Sequence, residues 1–147
     1  MTIKKILFPT DFSKVSQKAH DLAKDLKTRL EAEVHVLNVY DGETMDLALP
    51  YGQEPASATG APEHDVQMYD HAKKMLDTTC EALGATEGHF VEGEAGPQIV
   101  RFAKENNFDM IIIGTHGYKG LQRMLMGSVA EHVLRHSDLP VLTIKGE

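Results

Sequence analysis

The stretch that decides the fold reads Asp109-Met-Ile-Ile-Ile-Gly-Thr-His-Gly117 and resumes, nine residues later, as Gly127-Ser-Val-Ala130. Its apolar first half is typical of a short strand buried on both faces. Four glycines occur from position 114 to position 127, and a helical pattern then runs as far as His136. A buried strand, a glycine-rich loop and a helix in this order predict one strand-helix unit of a parallel sheet.

The same alternation extends along the chain in both directions from this stretch. Short apolar or β-rich runs predict strands at 3–9, 34–40, 89–91, 110–113 and 141–144. Helical spacing predicts helices at 15–30, at 66–83 with Gly84 as its left-handed cap, from Gly96-Pro97 onward, and from Gly127 or Ser128 to His136. The pattern predicts an α/β, Rossmann-like fold, in which an open five-stranded parallel sheet carries helices on both faces.

One long segment interrupts the alternation. Residues 41–62 are rich in glycine and proline and show no sustained period, so they predict a flexible loop. The length of 147 residues fits one domain, 1–147, with this loop inside it. Cys80 is the single cysteine, which excludes an intrachain disulfide framework, and we interpret it as a packing residue.

Composition excludes several classes of function. The net charge of −7 disfavours a protein that coats nucleic acid or an anionic membrane. No apolar run approaches the length of a membrane-spanning helix, and the N-terminus lacks the apolar core of a secretory signal, so we expect no membrane insertion and a cytoplasmic location. Residues 110–130 nevertheless contain Lys119 and Arg123 and no acidic residue, which makes this window locally positive.

The glycine-rich segment predicts a phosphate site. Glycine lets the backbone approach a ligand closely, and a helix that starts at Ser128 offers a hydroxyl and N–H groups to an anion. Open parallel sheets bind ligands beyond the carboxyl ends of their strands, where the strand order reverses. The alternative is that the glycines only turn the chain and that Ser128 only caps its helix. Lys119 and Arg123 are either phosphate partners or solvated surface residues.

The glycine spacing matches neither a Walker loop nor a dinucleotide fingerprint. Gly114, two residues, Gly117, nine residues and Gly127-Ser128 instead resemble the ATP-binding branch of the universal stress protein family. The resemblance covers essentially the whole chain, since it includes Lys-Ile-Leu-Phe-Pro-Thr-Asp-Phe-Ser at 5–13, Gly96-Pro97 and Ser-Asp-Leu-Pro-Val-Leu at 137–142.

The resemblance implies a sheet that binds ATP, with any Mg²⁺ held by phosphates and water, and a homodimer joined through the last strand, 141–144. Carried over residue by residue, it places the adenine and ribose beside Pro9, Thr10, Asp11 and the backbone of Val39. It assigns the ribose and phosphates to the loop and the helix start, namely Gly114, Thr115, His116, Gly117, Tyr118, Lys119, Gly120, Met126, Gly127, Ser128, Val129 and Ala130.

Four side chains allow other interpretations. Asp11 is either an acceptor for ribose hydroxyls or the N-cap of the first helix. His116 has no partner at a spacing that identifies a catalytic pair, so we assign no catalytic residue. His132 and His136 have the spacing of a metal pair but lack the glutamate of a zinc-hydrolase motif, so we assign no metal.

The sequence therefore predicts a nucleotide-dependent regulator or sensor of the stress response, read by a regulatory protein partner that the sequence does not identify. Two alternatives stay open. One is an enzyme, a slow ATPase or phosphotransferase. The other is a stress-linked dimer that binds AMP or no nucleotide at all.

Overall fold

The computed structural model describes residues 1–13, 15–40, 62–115 and 127–145, and it confirms the predicted alternation. Its elements, in chain order, are β1 (Lys5–Pro9), α1 (Val15–Leu30), β2 (Glu33–Tyr40), α2 (Pro62–Leu83), β3 (Glu87–Glu92), α3 (Ala95–Glu105), β4 (Met110–Gly114), α4 (Ser128–His136) and β5 (Val141–Ile144). The predicted loop 41–62 is one residue too long, because α2 starts at Pro62. Proline suits the first helical position, where the N–H that it lacks would have no partner within the helix. The rest of that loop lies outside the described residues.

The five strands form one parallel sheet in the order β3-β2-β1-β4-β5. The chain moves outward from β1 to β2 and β3, and then returns to place β4 on the other side of β1. Ile6 accordingly pairs with Val34 of β2 and with Met110 of β4. The strand order thus reverses between β1 and β4, and this reversal puts the ends of these two strands side by side.

Helices cover both faces of the sheet, as predicted. On one face, apolar residues of α1 and α2 pack on alternate strand residues, including Ile6, Phe8, Val34, Val36 and Ile112. On the other face, α3 and α4 pack on the intervening residues, including Leu7, Leu37, Ile111 and Ile113. Strands buried on both faces need apolar residues at nearly every position, which explains the unbroken apolar runs of β1 and β4.

Two local features fix the ends of elements. Asp109 lies just before β4, and its Oδ2 accepts hydrogen bonds from the backbone N–H groups of Lys4 and Lys5, each at 2.9 Å, which ties the starts of β1 and β4 together. Gly84 ends α2 with a φ of +62°, which confirms the predicted left-handed cap. Within the described ranges, no helix is both long and apolar enough to cross a membrane.

Candidate functional site

The candidate site lies at the carboxyl edge of the sheet, where β1 and β4 end next to each other. Pro9 and Thr10 come from the end of β1, and Gly114 and Thr115 come from the end of β4. The N-terminus of α4 follows the glycine-rich segment and is joined to the same edge. Because the strand order reverses here, this is the crevice at which open parallel sheets bind their ligands.

Thr10 shapes the end of β1. It is buried, with 8% of its surface exposed. Its backbone N–H donates to the Leu37 carbonyl at 2.9 Å, and its carbonyl accepts from Asn38 Nδ2 at 2.9 Å. Its hydroxyl oxygen accepts from the Phe12 N–H at 3.0 Å. Thr10 therefore fixes the course of the backbone here, with the help of buried Asn38, a residue that the sequence analysis did not single out.

Asp11 and Phe12 form an unusual turn after Thr10. The exposed Asp11 side chain accepts, through Oδ1, a hydrogen bond from the Ser13 N–H at 2.9 Å. Phe12 has a φ of +64°, a left-handed conformation that costs a non-glycine residue on the order of 1–3 kcal/mol. Such strain concentrates at functional sites, and here it falls at the edge where a ligand is expected.

Thr115 joins the end of β4 to the start of α4. It is 3% exposed, and its backbone N–H and its hydroxyl both donate to the Ile144 carbonyl, at 2.9 and 3.2 Å. Its own carbonyl accepts a hydrogen bond from the Gly127 N–H. The hydrogen bond between Thr115 and Gly127 thus joins the two ends of the segment between them, and we call this pair of residues the stem. It holds the start of α4 at the carboxyl edge of the sheet, beside β1.

The N-terminus of α4 has no side-chain cap. Gly127 is the N-cap residue, in an extended conformation (φ −66°, ψ 149°), and it can offer no side-chain acceptor. Ser128 is the first helical residue and is exposed, so the interpretation of Ser128 as the cap is wrong. The first N–H groups of a helix have no partner within the helix, and a helix start without a cap leaves them to water or an anion. Glu131 in the first turn opposes an anion here.

The structure brings together the described members of the predicted site. Val39 lies near the end of β2, where it pairs with Val91 and packs on the face that α3 and α4 cover. Val129 is half-buried and Ala130 is buried behind the helix start. The remaining predicted residues, His116, Gly117, Tyr118, Lys119, Gly120 and Met126, lie outside the described residues, as does Arg123.

Cys80 and His136 lie away from this edge, near the C-terminal ends of α2 and α4. Burial, followed by the charge of Asp77, raises the pKa of the half-buried Cys80, which keeps it a thiol and fits a packing residue. His132 and His136 are neighbours on α4, with ring centroids 4.3 Å apart. A cavity of about 260 Å³ opens at the amino edge of the sheet, lined by residues that include Lys104, Asn107, His136 and Asp138, and none of the predicted site residues lines it.

A second polar cluster, also at the amino edge, was missed. Strands β2 and β3 both begin with Glu-X-His, at Glu33-Val-His35 and at Glu87-Gly-His89. The parallel register brings His35 beside Glu87, and the two histidines contact each other. The repeated tripeptide was the available signal, but the sequence does not reveal that β2 and β3 are neighbours.

The sequence is similar to a known protein family and to individual members of it. The sequence profile described as the universal stress protein family matches residues 2–145. Universal stress protein MJ0531 of Methanocaldococcus jannaschii is 34% identical over 143 residues, which cover 97% of this chain and 82% of that protein. Universal stress protein MJ0577 of the same organism is 31% identical over 153 residues, which cover 97% and 94%.

The similarity to solved structures extends over essentially the whole chain. The structure of MJ0577 matches with a TM-score of 0.83 at 30% identity, over 100% of this chain and 99% of that one. A structure of the universal stress protein from Archaeoglobus fulgidus in complex with dAMP matches with a TM-score of 0.65 at 24% identity, over 99% and 100%. The second likeness is one of fold alone.

Proposed function

The chain belongs to the universal stress protein family, and from this premise we propose that it binds ATP at the carboxyl edge of its sheet and acts as a nucleotide-dependent regulator. The observation that carries the proposal is the stem that Thr115 and Gly127 close. This stem holds an uncapped helix N-terminus beside the end of β1, at the point where the strand order reverses.

Each part of the nucleotide has a candidate partner. The N–H groups at the start of α4 suit the phosphates, because they point at the anion and the helix dipole favours negative charge. The exposed Asp11 carboxylate suits ribose hydroxyls, since a carboxylate accepts their hydrogen bonds. We assign the adenine to the end of β2, beside Pro9. A protein of the same fold has been solved with dAMP, an adenine nucleotide.

The regulatory mechanism that we propose is a population shift. ATP binds one arrangement of the segment between β4 and α4 better than others, and thereby biases a surface that a partner recognises. Backbone hydrogen exchange tests this with and without saturating ATP. We expect slower exchange within residues 114–129 and unchanged exchange around Asn107, at the opposite edge. Equal exchange rates within 114–129 under both conditions would contradict the mechanism.

The rival function is a slow ATPase or phosphotransferase. Phosphate release over time separates the two possibilities. The regulator predicts nucleotide binding with at most a slow background rate of hydrolysis, while the enzyme predicts linear phosphate release that stops when one polar residue, such as His116, is replaced. AMP binding in place of ATP would instead support a dimer that senses another adenine compound.

We also propose that the regulator is a homodimer joined through β5. This strand is at the edge of the sheet, pairs with β4 on one side, and carries four half-buried residues, of which Val141, Leu142 and Ile144 are apolar. An apolar edge strand exposes unpaired backbone groups that a second copy can cover.

A further inference from the structure

The polar cluster at the amino edge of the sheet consists of Glu33 and His35 of β2 and of Glu87 and His89 of β3. Residues two apart on a strand point to the same face. Leu37 and Val91 belong to the apolar cluster under α3 and α4, so the Glu-X-His side chains that precede them share that face. The register, His35 against Glu87, places the two tripeptides next to each other.

The ligand atoms of three of these side chains lie close together. Nδ1 of His35 is 2.9 Å from Nε2 of His89, and Glu87 Oε2 is 3.9 Å from the same His89 nitrogen. The three ligand atoms all lie within 4.8 Å of one another. No other group of three or more His, Cys, Asp or Glu residues converges in this way within the part of the chain that the structure describes.

Glu33 decides which nitrogen of His35 carries the proton. Its Oε2 is 3.3 Å from Nε2 of His35, and a carboxylate only accepts hydrogen bonds, so we assign the proton of neutral His35 to Nε2. The Nδ1 lone pair of neutral His35 therefore faces His89 and Glu87. A histidine that binds a metal almost always donates its other N–H to a carboxylate in this manner.

We propose that His35, His89 and Glu87 bind a divalent transition-metal ion of the Zn²⁺ class, with the fourth coordination position open. Two imidazoles and a carboxylate are a ligand set that Zn²⁺ uses. Two nitrogens on a tetrahedral Zn²⁺ stand about 3.4 Å apart, so the present N···N contact has to widen by about 0.5 Å. The two rings are also nearly coplanar, with an interplanar angle of 8° and centroids 5.2 Å apart, so they have to swivel until both lone pairs point at one ion. His89 is half-buried on the edge strand and can make this adjustment, and its proton then moves to Nδ1.

The surroundings suit a cation that enters from solvent. Phe108 meets the His35 ring edge-on and Phe102 packs against His89, which forms an apolar wall behind the two imidazoles. The carboxylate side is open, because the Glu87 and Glu33 side chains are 64% and 60% exposed. The Lys5 ammonium, the nearby positive charge, is bound to the Asn106 carbonyl at 2.8 Å and lies over the Phe108 ring. The two carboxylates of Glu33 and Glu87 therefore outnumber the one ammonium of Lys5, which favours the binding of a cation.

The site is separate from the proposed nucleotide site. His35 precedes the carboxyl end of β2 by five residues, or about 16 Å along the strand. Metal binding here therefore goes beyond the proposed function and is tested without any nucleotide, so either proposal can fail without the other.

The test titrates ZnCl₂ into the full chain after removal of metals by a chelator, by calorimetry, and repeats the titration with CoCl₂ in a visible spectrometer. We expect one Zn²⁺ per chain and the absorption bands of tetrahedral Co²⁺. His89→Gln should weaken Zn²⁺ affinity by about 100-fold or more, and Glu33→Ala by about 10- to 100-fold, because the latter removes only the orienting carboxylate. His132→Gln, the same change in the other histidine pair, should leave affinity unchanged.

Glu87→Gln is the second test of the site, because this side chain is exposed and its replacement leaves the fold intact. We expect it to weaken Zn²⁺ binding and to reduce the tetrahedral Co²⁺ bands. The proposal is overturned by the absence of Zn²⁺ binding in the unaltered chain, by unchanged affinity in Glu87→Gln and His89→Gln, or by loss of binding in His132→Gln alone.

Discussion

Thr10 and Thr115 are the two buried threonines that follow the adjacent strands β1 and β4. The hydroxyl of Thr10 accepts from the Phe12 N–H, and that of Thr115 donates to the Ile144 carbonyl. Both hydroxyls therefore form hydrogen bonds with backbone atoms at the carboxyl edge of the sheet. The groups that we expect to contact a nucleotide are then backbone atoms of these turns, the Asp11 carboxylate and the N–H groups at the start of α4.

His20 carries a prediction about acid stability. It is half-buried in α1, against the Phe8 ring, and burial lowers its pKa, although Asp21 and a hydrogen bond to the Thr79 backbone oppose the shift. The folded chain therefore takes up a proton less readily than the unfolded chain, whose His20 titrates at about 6.5. The free energy of unfolding should fall as pH drops from above 6.5 to below the folded pKa.

Denaturant unfolding at several pH values, with a chelator present, measures this effect. His20→Gln should reduce the loss of stability between pH 7 and pH 5. It should not abolish the loss, because burial also lowers the pKa of His89. His71→Gln replaces an exposed histidine of α2 and serves as the control. A pH profile of His20→Gln that matches that of the unaltered chain would refute the assignment.

At the scale of elements, α3 and α4 depend on a close approach at Gly96. A Cβ placed on Gly96 would lie 2.7 Å from Cγ and 2.9 Å from Cβ of His132. The His132 Cβ is fixed to α4 and cannot rotate away, so a methyl group there has to push the helices apart. This close packing explains the glycine before Pro97, a position where the sequence indicated only a helix start.

Gly96→Ala should accordingly lower the free energy of unfolding by about 1–3 kcal/mol, the usual cost of overpacking. Equilibrium unfolding in urea measures the change. Lys104→Ala, an exposed change in the same helix, is the control and should stay within about 0.5 kcal/mol. His132→Ala should recover part of the loss, because it removes the ring atoms but not Cβ. A Gly96→Ala chain as stable as the unaltered chain would contradict this packing.

Element boundaries were predictable where apolar periodicity defined them. The predicted strand 141–144 matches β5 to the residue, because the β-rich run after Pro140 coincides with the strand. The predicted start of α2 is four residues late, because residues 62–65 contain no apolar residue after Pro62 and so show no helical period. A polar, acidic first turn is nevertheless favourable at the start of a helix. Periodicity detects the buried face of a helix and not its solvated end.

Contacts between segments far apart in the sequence could not be predicted from it. The bond from Gly127 to Thr115 joins the two ends of a long segment, and the contact of His35 with His89 depends on strand order and register. Neither follows from local spacing. The edge at which we propose the nucleotide site could be named from the sequence, because the rule for open parallel sheets needs only the carboxyl ends of the strands.

For the whole molecule, the proposed dimer depends on the outer edge of β5. The Ile111 N–H donates to the Pro140 carbonyl and the Thr115 N–H to the Ile144 carbonyl, so even-numbered residues of β5 face β4. The N–H of Thr143 therefore points to the open edge. Thr143→Pro removes this donor while it spares the bonds to β4.

Light scattering after gel filtration tests the dimer. We expect the unaltered chain to have the mass of two chains and Thr143→Pro to shift toward the mass of one. Thr143→Val keeps the N–H and should stay dimeric. A monomeric unaltered chain, or a Thr143→Pro chain that stays fully dimeric, would contradict an interface through this edge.

The central claim is that ATP binds where α4 begins beside β1 and β4. Calorimetric titration of ATP with Mg²⁺ tests it most directly, in the unaltered chain, in Gly127→Val and in Glu94→Val. Gly127 and Glu94 are both extended N-cap residues without a side-chain cap, but Glu94 begins α3 and lies outside the predicted site. We predict saturable ATP binding that Gly127→Val abolishes and Glu94→Val preserves. Absence of ATP binding in the unaltered chain, or equal binding in Gly127→Val, would contradict the account.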